Sequence, residues 1–376
     1  MLTIVLVLLA AGCRFTGGAS GDSGSSHDTL AVVAGSRVYL WSADTGRARR
    51  IGPPPPQSET APRLSALTWS ADGRKIAWVV TADRGTQIVE VRLTGAKPQS
   101  NAWPVDLAPD ALVVDGKGVV AAGSDGHLTR YPLNGSVSQS LITTGAATPV
   151  PFARGFLLAH YEDSTSPITI DRTGIDGLAR PFTRLPATTS MSAYSTYAAD
   201  ARGERLAAER GDHTDVCGIG PPSALYTVAK KDQPPLRRPL PGGPRTLWRL
   251  RDLVYGADGT LDVVGFDTGP VCRPPAQDAA IHSPVKLPST LFELSPNGRI
   301  SAVAQHVISA QRGPHGQLAT ISGDMACTLD QGGNPATTTV GAARVEIDHK
   351  RVTLPAAPSA LRWAPKQGSH ELGDTS

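Results

Sequence analysis

Aromatic residues are scarce in this chain, with 6 Trp, 7 Tyr and 6 Phe among 376 residues. Charged residues make up 18%, and cysteine occurs four times. Each shortage excludes something. Four cysteines cannot staple a chain of this length, so its core must be ordinary apolar packing. The formal net charge is +3, from Lys and Arg that are scattered and not striped, which argues against nucleic acid as a partner. No apolar run reaches the ~20 residues that span a bilayer. The nine histidines form no His-x-x-x-His pair, and no Gly-x-Ser-x-Gly elbow occurs. The signatures of zinc peptidases and of α/β serine hydrolases are therefore missing.

Glycine and proline are abundant, at 39 and 32. They cluster with Asp and Asn between short runs rich in Val, Leu, Ile, Ala and Thr, the punctuation of an all-β protein. Leu67-Thr-Trp69-Ser70-Ala71-Asp72-Gly73-Arg74-Lys75-Ile76-Ala77-Trp78 reads as a strand, an Asp-Gly turn and a second strand. Worn copies centre on Gly116, Gly155, Gly203, Gly259 and Gly298, at steps of 39 to 56 residues counting from Gly73. A period of about 40–50 residues with four strands per unit predicts a β-propeller. Ala360-Leu361-Arg362-Trp363-Ala364 near the end echoes Ala66-Leu67-Thr68-Trp69-Ser70. The last strand is thus expected to supply the innermost strand of the first blade and to cover two open edges. Counting that strand gives seven blades. Six is the alternative if region 260–350 is not a full blade plus an insert.

The blocks at 69–78 and Leu294-Ser295-Pro296-Asn297-Gly298-Arg299-Ile300 resemble the TolB-type β-propeller repeat. The resemblance spans about 340 residues through the repeat and implies a fold more than a role. Strands start just after residue 28, so no counterpart of the TolB N-terminal domain is expected here.

The first residues carry an address. Ile4 to Cys13 are apolar or small and end in Leu9-Ala10-Ala11-Gly12-Cys13, which resembles the lipobox of bacterial lipoproteins. The resemblance implies cleavage before Cys13, acylation of its thiol, and a lipid-anchored protein on the extracytoplasmic side of a membrane. The expected organisation is a signal peptide over 1–12, a Gly/Ser tether over 13–28, a propeller over 29–367 and a polar tail over 368–376. Gly21-Asp22-Ser23-Gly24 matches the nucleophile tetrapeptide of trypsin-like proteases. A flexible tether with almost no chain before it cannot hold a triad, so that match is set aside.

Outside the cytosol an apposed cysteine pair oxidises. Cys217 and Cys272 lie 14 and 13 residues past Gly203 and Gly259. Both are therefore expected in the connection between the second and third strands of adjacent blades, close enough for a disulfide. Cys327 could compete for Cys272, and no zinc-ligand spacing is present. The connections of the last blades hold the candidate ligand-facing residues: Asp212, His213 and Asp215 in 211–223, Asp267 and Arg273 in 267–279, and His315 in an insert spanning 308–340. Trp69, Trp78 and Trp363 read as blade-packing residues. No catalytic set, cofactor or metal site is expected. The expected function is binding or scaffolding by a monomer, with an envelope protein or glycan as partner. The alternative is a propeller enzyme, a glycan hydrolase or lyase.

Overall fold

The computed structural model describes residues 29–54, 56, 58–94, 98–133, 138–143, 145–161, 166–187, 192–212, 223–242, 246–269, 285–329 and 335–365. It is an all-β protein of seven antiparallel blades. Blade 1 joins both ends of the domain: β29 (Pro358–Trp363) is innermost, followed outward by β1 (Thr29–Ala34), β2 (Arg37–Ser42) and β3 (Arg47–Ile51). Blade 2 is β4 (Arg63–Trp69), β5 (Lys75–Ala82), β6 (Gly85–Arg92) and β7 (Gln99–Val105). Blade 3 is β8 (Ala111–Val114), β9 (Gly118–Ala122), β10 (His127–Pro132) and β11 (Gln139–Thr143). Blade 4 is β12 (Ala147–Phe152), β13 (Gly155–His160), β14 (Ile168–Gly174) and β15 (Ala179–Leu185). Blade 5 is β16 (Ser192–Ala199), β17 (Leu206–Asp212), β18 (Ala224–Val228) and β19 (Leu236–Arg238).

The last two blades are interleaved. Blade 6 is β20 (Trp248–Tyr255), β21 (Leu261–Asp267), β23 (Ser289–Leu294) and β24 (Ile300–Gln305). Blade 7 is β25 (Val307–Arg312), β26 (Leu318–Leu329), β27 (Pro335–Ile347) and β28 (Lys350–Val352). The short strand β22 (Val285–Leu287) leaves the β21–β23 connection of blade 6 and pairs with the far half of β26. It continues the line of β25, which pairs with the near half.

The region 308–340 is therefore not an insert. It is three strands of a regular blade, and the count is seven. Gly298 lies between the third and fourth strands of blade 6, not in the first hairpin of a unit. The same turn recurs at all three hairpin positions. In 123–127, 174–178, 256–260, 295–299 and 313–317 the first residue accepts from the fourth N–H and donates to the fifth carbonyl. At the third position Asp125, Asp176, Asp258 and Asn297 each accept the fifth N–H, which holds the turn shut. The fourth residue is glycine because φ there is positive: +77° to +88° at Gly126, Gly177, Gly259, Gly298 and Gly316.

Burial follows position in the blade. Second strands such as β5, β9, β13 and β21 are buried on both faces by the neighbouring blades, so they read as continuous apolar runs such as Ile76-Ala-Trp-Val-Val80. Outer strands are mostly exposed. The seven innermost strands touch in cyclic order, β29, β4, β8, β12, β16, β20, β25 and back to β29. They form the wall of a central channel. The lower face carries the turns joining first to second and third to fourth strands. The upper face carries the second-to-third connections and the passages between blades.

The last strand closes the ring as expected, as the innermost strand of blade 1. Leu30, Ala31, Val32 and Val33 of β1 pair with Trp363, Arg362, Leu361 and Ala360 of β29. Trp363 is 6% exposed and meets Trp41 edge to face at 6.2 Å. Trp69 and Trp78 also pack within the blade-1/blade-2 core.

Candidate functional site

Five of the seven innermost strands carry a β-bulge. The extra residues are Ser195 in β16, Arg251 in β20, Ile308 in β25 and Ser359 in β29, and in β4 the pair Ala66-Leu67 opposes Trp78 alone. A bulge re-aims the side chains of the bulged strand, and bulges favour barrel rims and sites. Ser195, Arg251 and Ser359 are the polar residues among the extra ones.

The largest such group joins blades 6, 7 and 1. Arg251 is exposed, and Asp252 beside it is half-buried. Ser309 Oγ donates to Asp252 Oδ2 at 2.6 Å across the blade-6/blade-7 seam. Burial pushes the Asp252 carboxyl above its ordinary range, against the opposing pull of Ser309, Arg362, Arg251 and the Ala310 N–H. The protein packed around Arg251 desolvates its guanidinium and lowers its pKa even though the side chain reaches solvent, with Asp252 opposing the shift. Arg362 is anchored at Nε to the Leu67 carbonyl at 3.4 Å.

The wall has one prevailing sign. The innermost strands carry Arg63, Arg249, Arg251, Arg312 and Arg362 against the single carboxyl of Asp252. Arg312, at the lower end of β25, is committed: it pairs with Asp262 and Glu293 of blade 6. Beside this group, Glu209 is 3% exposed and accepts from Ser195 Oγ (2.8 Å), Thr196 Oγ1 (3.0 Å) and Leu250 N (2.9 Å). That carboxylate fills the gap left by the β16 bulge and ties blade 5 to the strand bearing Arg251.

The expected site residues distribute differently. Asp267 ends β21 on the upper face, and its Oδ1 accepts from Leu247 N and Gly269 N at 2.9 and 2.8 Å. It serves as a brace for the channel mouth. Asp212 ends β17 on the same face, its backbone paired with Ser192. His315 lies on the opposite, lower face. It is the third residue of the turn 313–317, the place of Asp in the other turns, and its N–H donates to Gln317 Oε1 at 3.2 Å. It cannot share a ligand with Asp267, because one turn joins first and second strands and the other second and third.

His213, Asp215, Cys217, Cys272, Arg273 and Cys13 lie outside the described residues. The ends of their connections, at 212 and 223 and at 269 and 285, are on the upper faces of adjacent blades. Cys327 lies in β26, paired with Val285 and Thr337. Among the described residues no three His, Cys, Asp or Glu side chains gather closely enough to hold a metal ion.

Sequence reasoning missed Arg251, Asp252, Ser309 and Arg362. The one available signal was Arg249-Leu-Arg-Asp252, a charged interruption in the first strand of a blade.

The class of protein is therefore a seven-bladed β-propeller with a cationic channel wall. No protein-family profile and no curated protein matches the chain. Solved propellers do. The periplasmic gluconolactonase of Pseudomonas aeruginosa is 14% identical, with a TM-score of 0.50 over 89% of this chain and 98% of that one. A candidate 6-phosphogluconolactonase of Bacteroides uniformis is 13% identical, with a TM-score of 0.51 over 89% and 98%. The tricorn protease matches with a TM-score of 0.49 at 12% identity, and this chain spans 34% of its length. The likeness to the two lactonase-named propellers establishes a shared fold.

Proposed function

We propose that this chain is a membrane-tethered, extracytoplasmic propeller that binds an anionic ligand, such as a sugar acid, at its central channel. The observation that carries this reading is the wall group of Arg251, Asp252, Ser309 and Arg362, with arginine outnumbering carboxyl on the innermost strands. Guanidinium groups that act on one partly desolvated carboxyl, as Arg251 and Arg362 do on Asp252, favour carboxylate or phosphate through charge-assisted hydrogen bonds. Asp252 and Ser309 add a donor–acceptor pair suited to a hydroxyl. The tether part of the reading is supported by the Leu9–Cys13 block and the TolB-type resemblance by the two blocks that carry it.

The second reading is an enzyme acting on a sugar derivative. It is supported by the end-to-end likeness to a propeller named as a gluconolactonase and by the raised Asp252 carboxyl, which suits proton transfer.

Calorimetry with gluconate and galacturonate oligomers, run beside an acid-release assay on gluconolactone, separates the two. Saturable binding without turnover, weakened about tenfold in Arg251→Ala, supports the binding module; that loss is the size of one charge-assisted hydrogen bond. Turnover abolished in Asp252→Asn supports the enzyme. Neither binding nor turnover with any of these compounds removes the channel as the site for sugar acids.

A further inference from the structure

The outer strands of the seven blades carry a one-sided charge. β3 bears Arg47, Arg49 and Arg50, β15 bears Arg180 and Arg184, β19 bears Arg237 and Arg238, and β28 bears Lys350 and Arg351. None of the seven outer strands bears Asp or Glu, and β7, β11 and β24 bear no Lys, Arg, Asp or Glu. Charge on an edge strand blunts pairing with another chain. That accounts for the presence of charge but not for its single sign in a protein whose net charge is only +3.

The nine cations fall in two places. Blades 7 and 1 are neighbours where the ring closes. Blades 4 and 5 are neighbours on the opposite side. At the closure, Tyr39 pairs with Arg50 in the β2–β3 ladder, and Tyr39 in turn opposes Val32. Val32 packs in the core shared with Val352 of blade 7. Arg50 is therefore on the face of blade 1 turned toward blade 7. Lys350, two residues before Val352, is on the face of blade 7 turned toward blade 1. Arg47 and Arg49 share the other face of β3. All four are exposed. The nearby acids are few or engaged: Asp44 is exposed in the turn before β3, Glu346 opposes Arg351, and Asp348 accepts from Leu318 N.

The chain outside the described residues enters at this place. Thr29 pairs with Ser42 and Ser42 with Arg47, so residue 28 joins the domain two strands, about 10 Å, from Arg47. A flexible Gly/Ser-rich chain of the length of 13–28 would span about 20–25 Å on average. An anchor at Cys13 would therefore hold this rim, and not the opposite one, against the bilayer.

We infer that the rim of blade 1, Arg47, Arg49 and Arg50 with Lys350 of blade 7, is a docking surface for the anionic headgroups of the bilayer to which the chain is tethered. The inference rests on the tethered reading, and it sets the propeller edge-on, with both mouths of the channel open to the side.

The test uses residues 13–376 with Cys13→Ser, which keeps every described strand and carries no lipid. Binding is measured by co-sedimentation with vesicles of phosphatidylglycerol and phosphatidylcholine, against phosphatidylcholine alone. Binding should require phosphatidylglycerol and weaken with salt. Arg47→Glu/Arg49→Glu/Arg50→Glu should weaken it at least about tenfold, since one basic residue at such a surface contributes about fivefold. The Gln triple variant should show a smaller loss in the same direction if the Glu variant does not fold. Arg180→Glu/Arg184→Glu/Arg237→Glu, with the same change in net charge, should change binding by no more than about twofold. Equal losses from both triple variants, no loss from the first, or no binding by the parent overturns the surface. The anchor itself is read separately from intact mass, so failure of either reading is visible without the other.

Discussion

The Trp69 indole N–H donates to the carbonyl of Arg362 at 2.9 Å, joining residues 293 positions apart. The same contact recurs one blade earlier, where Trp363 Nε1 donates to the Gln311 carbonyl at 3.0 Å. Both tryptophans close an innermost strand and reach back to the innermost strand of the preceding blade. The sequence echo between 66–70 and 360–364 is thus a repeated inter-blade latch, and one of its two copies seals the ring.

Loss of that latch should be measurable. Trp69→Phe removes the donor but keeps most of the ring, and should cost about 1 kcal/mol in thermal or denaturant unfolding. Deleting residues 357–367 removes β29 altogether and exposes edges of β1, β4 and β25. The domain should then aggregate or lose its cooperative transition, checked by light scattering and calorimetry. An unchanged transition would show that the ring is not closed by its last strand.

Stability should depend on pH through Asp262. Burial pushes its carboxyl up to about 7, Arg312 pulls it down, and Glu293 on the same guanidinium pushes it up. The folded pKa lies above the unfolded value of 3.8. Between these values the folded state holds a proton that the unfolded state has released. Stability should therefore fall as pH rises from about 4 to about 7, by a few kcal/mol at most, at about 1.4 kcal/mol per pKa unit. Asp262→Asn should flatten that slope in a series of unfolding curves.

The address is checked by mass. The mature chain should begin at Cys13 and carry a lipid adduct, and Cys13→Ala should abolish the adduct and release the protein from membranes. A mature N-terminus downstream of Cys13 without lipid would refute the anchor.

The upper-face connections should be joined by Cys217–Cys272. The closed loop would lie near roughly 4 kcal/mol on the loop-entropy scale. Cys217→Ser and Cys272→Ser should each lower stability, whereas Cys327→Ser should have little effect. Non-reducing peptide mapping reads the pairing directly. Because β22 draws the end of the 270–284 connection alongside Cys327, a Cys272–Cys327 bridge is the outcome that would overturn it.

The strands, the all-β class and the closing echo were legible because burial on both faces of a blade demands continuous apolar runs, and tight turns demand Asp-Gly or Asn-Gly. Blade phase was less legible. One turn type serves all three hairpin positions, so Gly298 in a third-to-fourth turn looks like Gly259 in a first-to-second turn, and His315 in an Asp position looks like an ordinary loop residue. Only strand pairing separates these cases. The channel group was beyond reach for another reason. Arg251, Asp252, Ser309 and Arg362 sit on three innermost strands that are far apart in the chain. Their convergence depends on a ring closing with seven blades and on bulges at Arg251 and Ile308, which shift the facing of each strand by one residue. Local propensity and periodicity determined which segments became strands, whereas the ring's closure and its bulges decided which side chains meet in the channel.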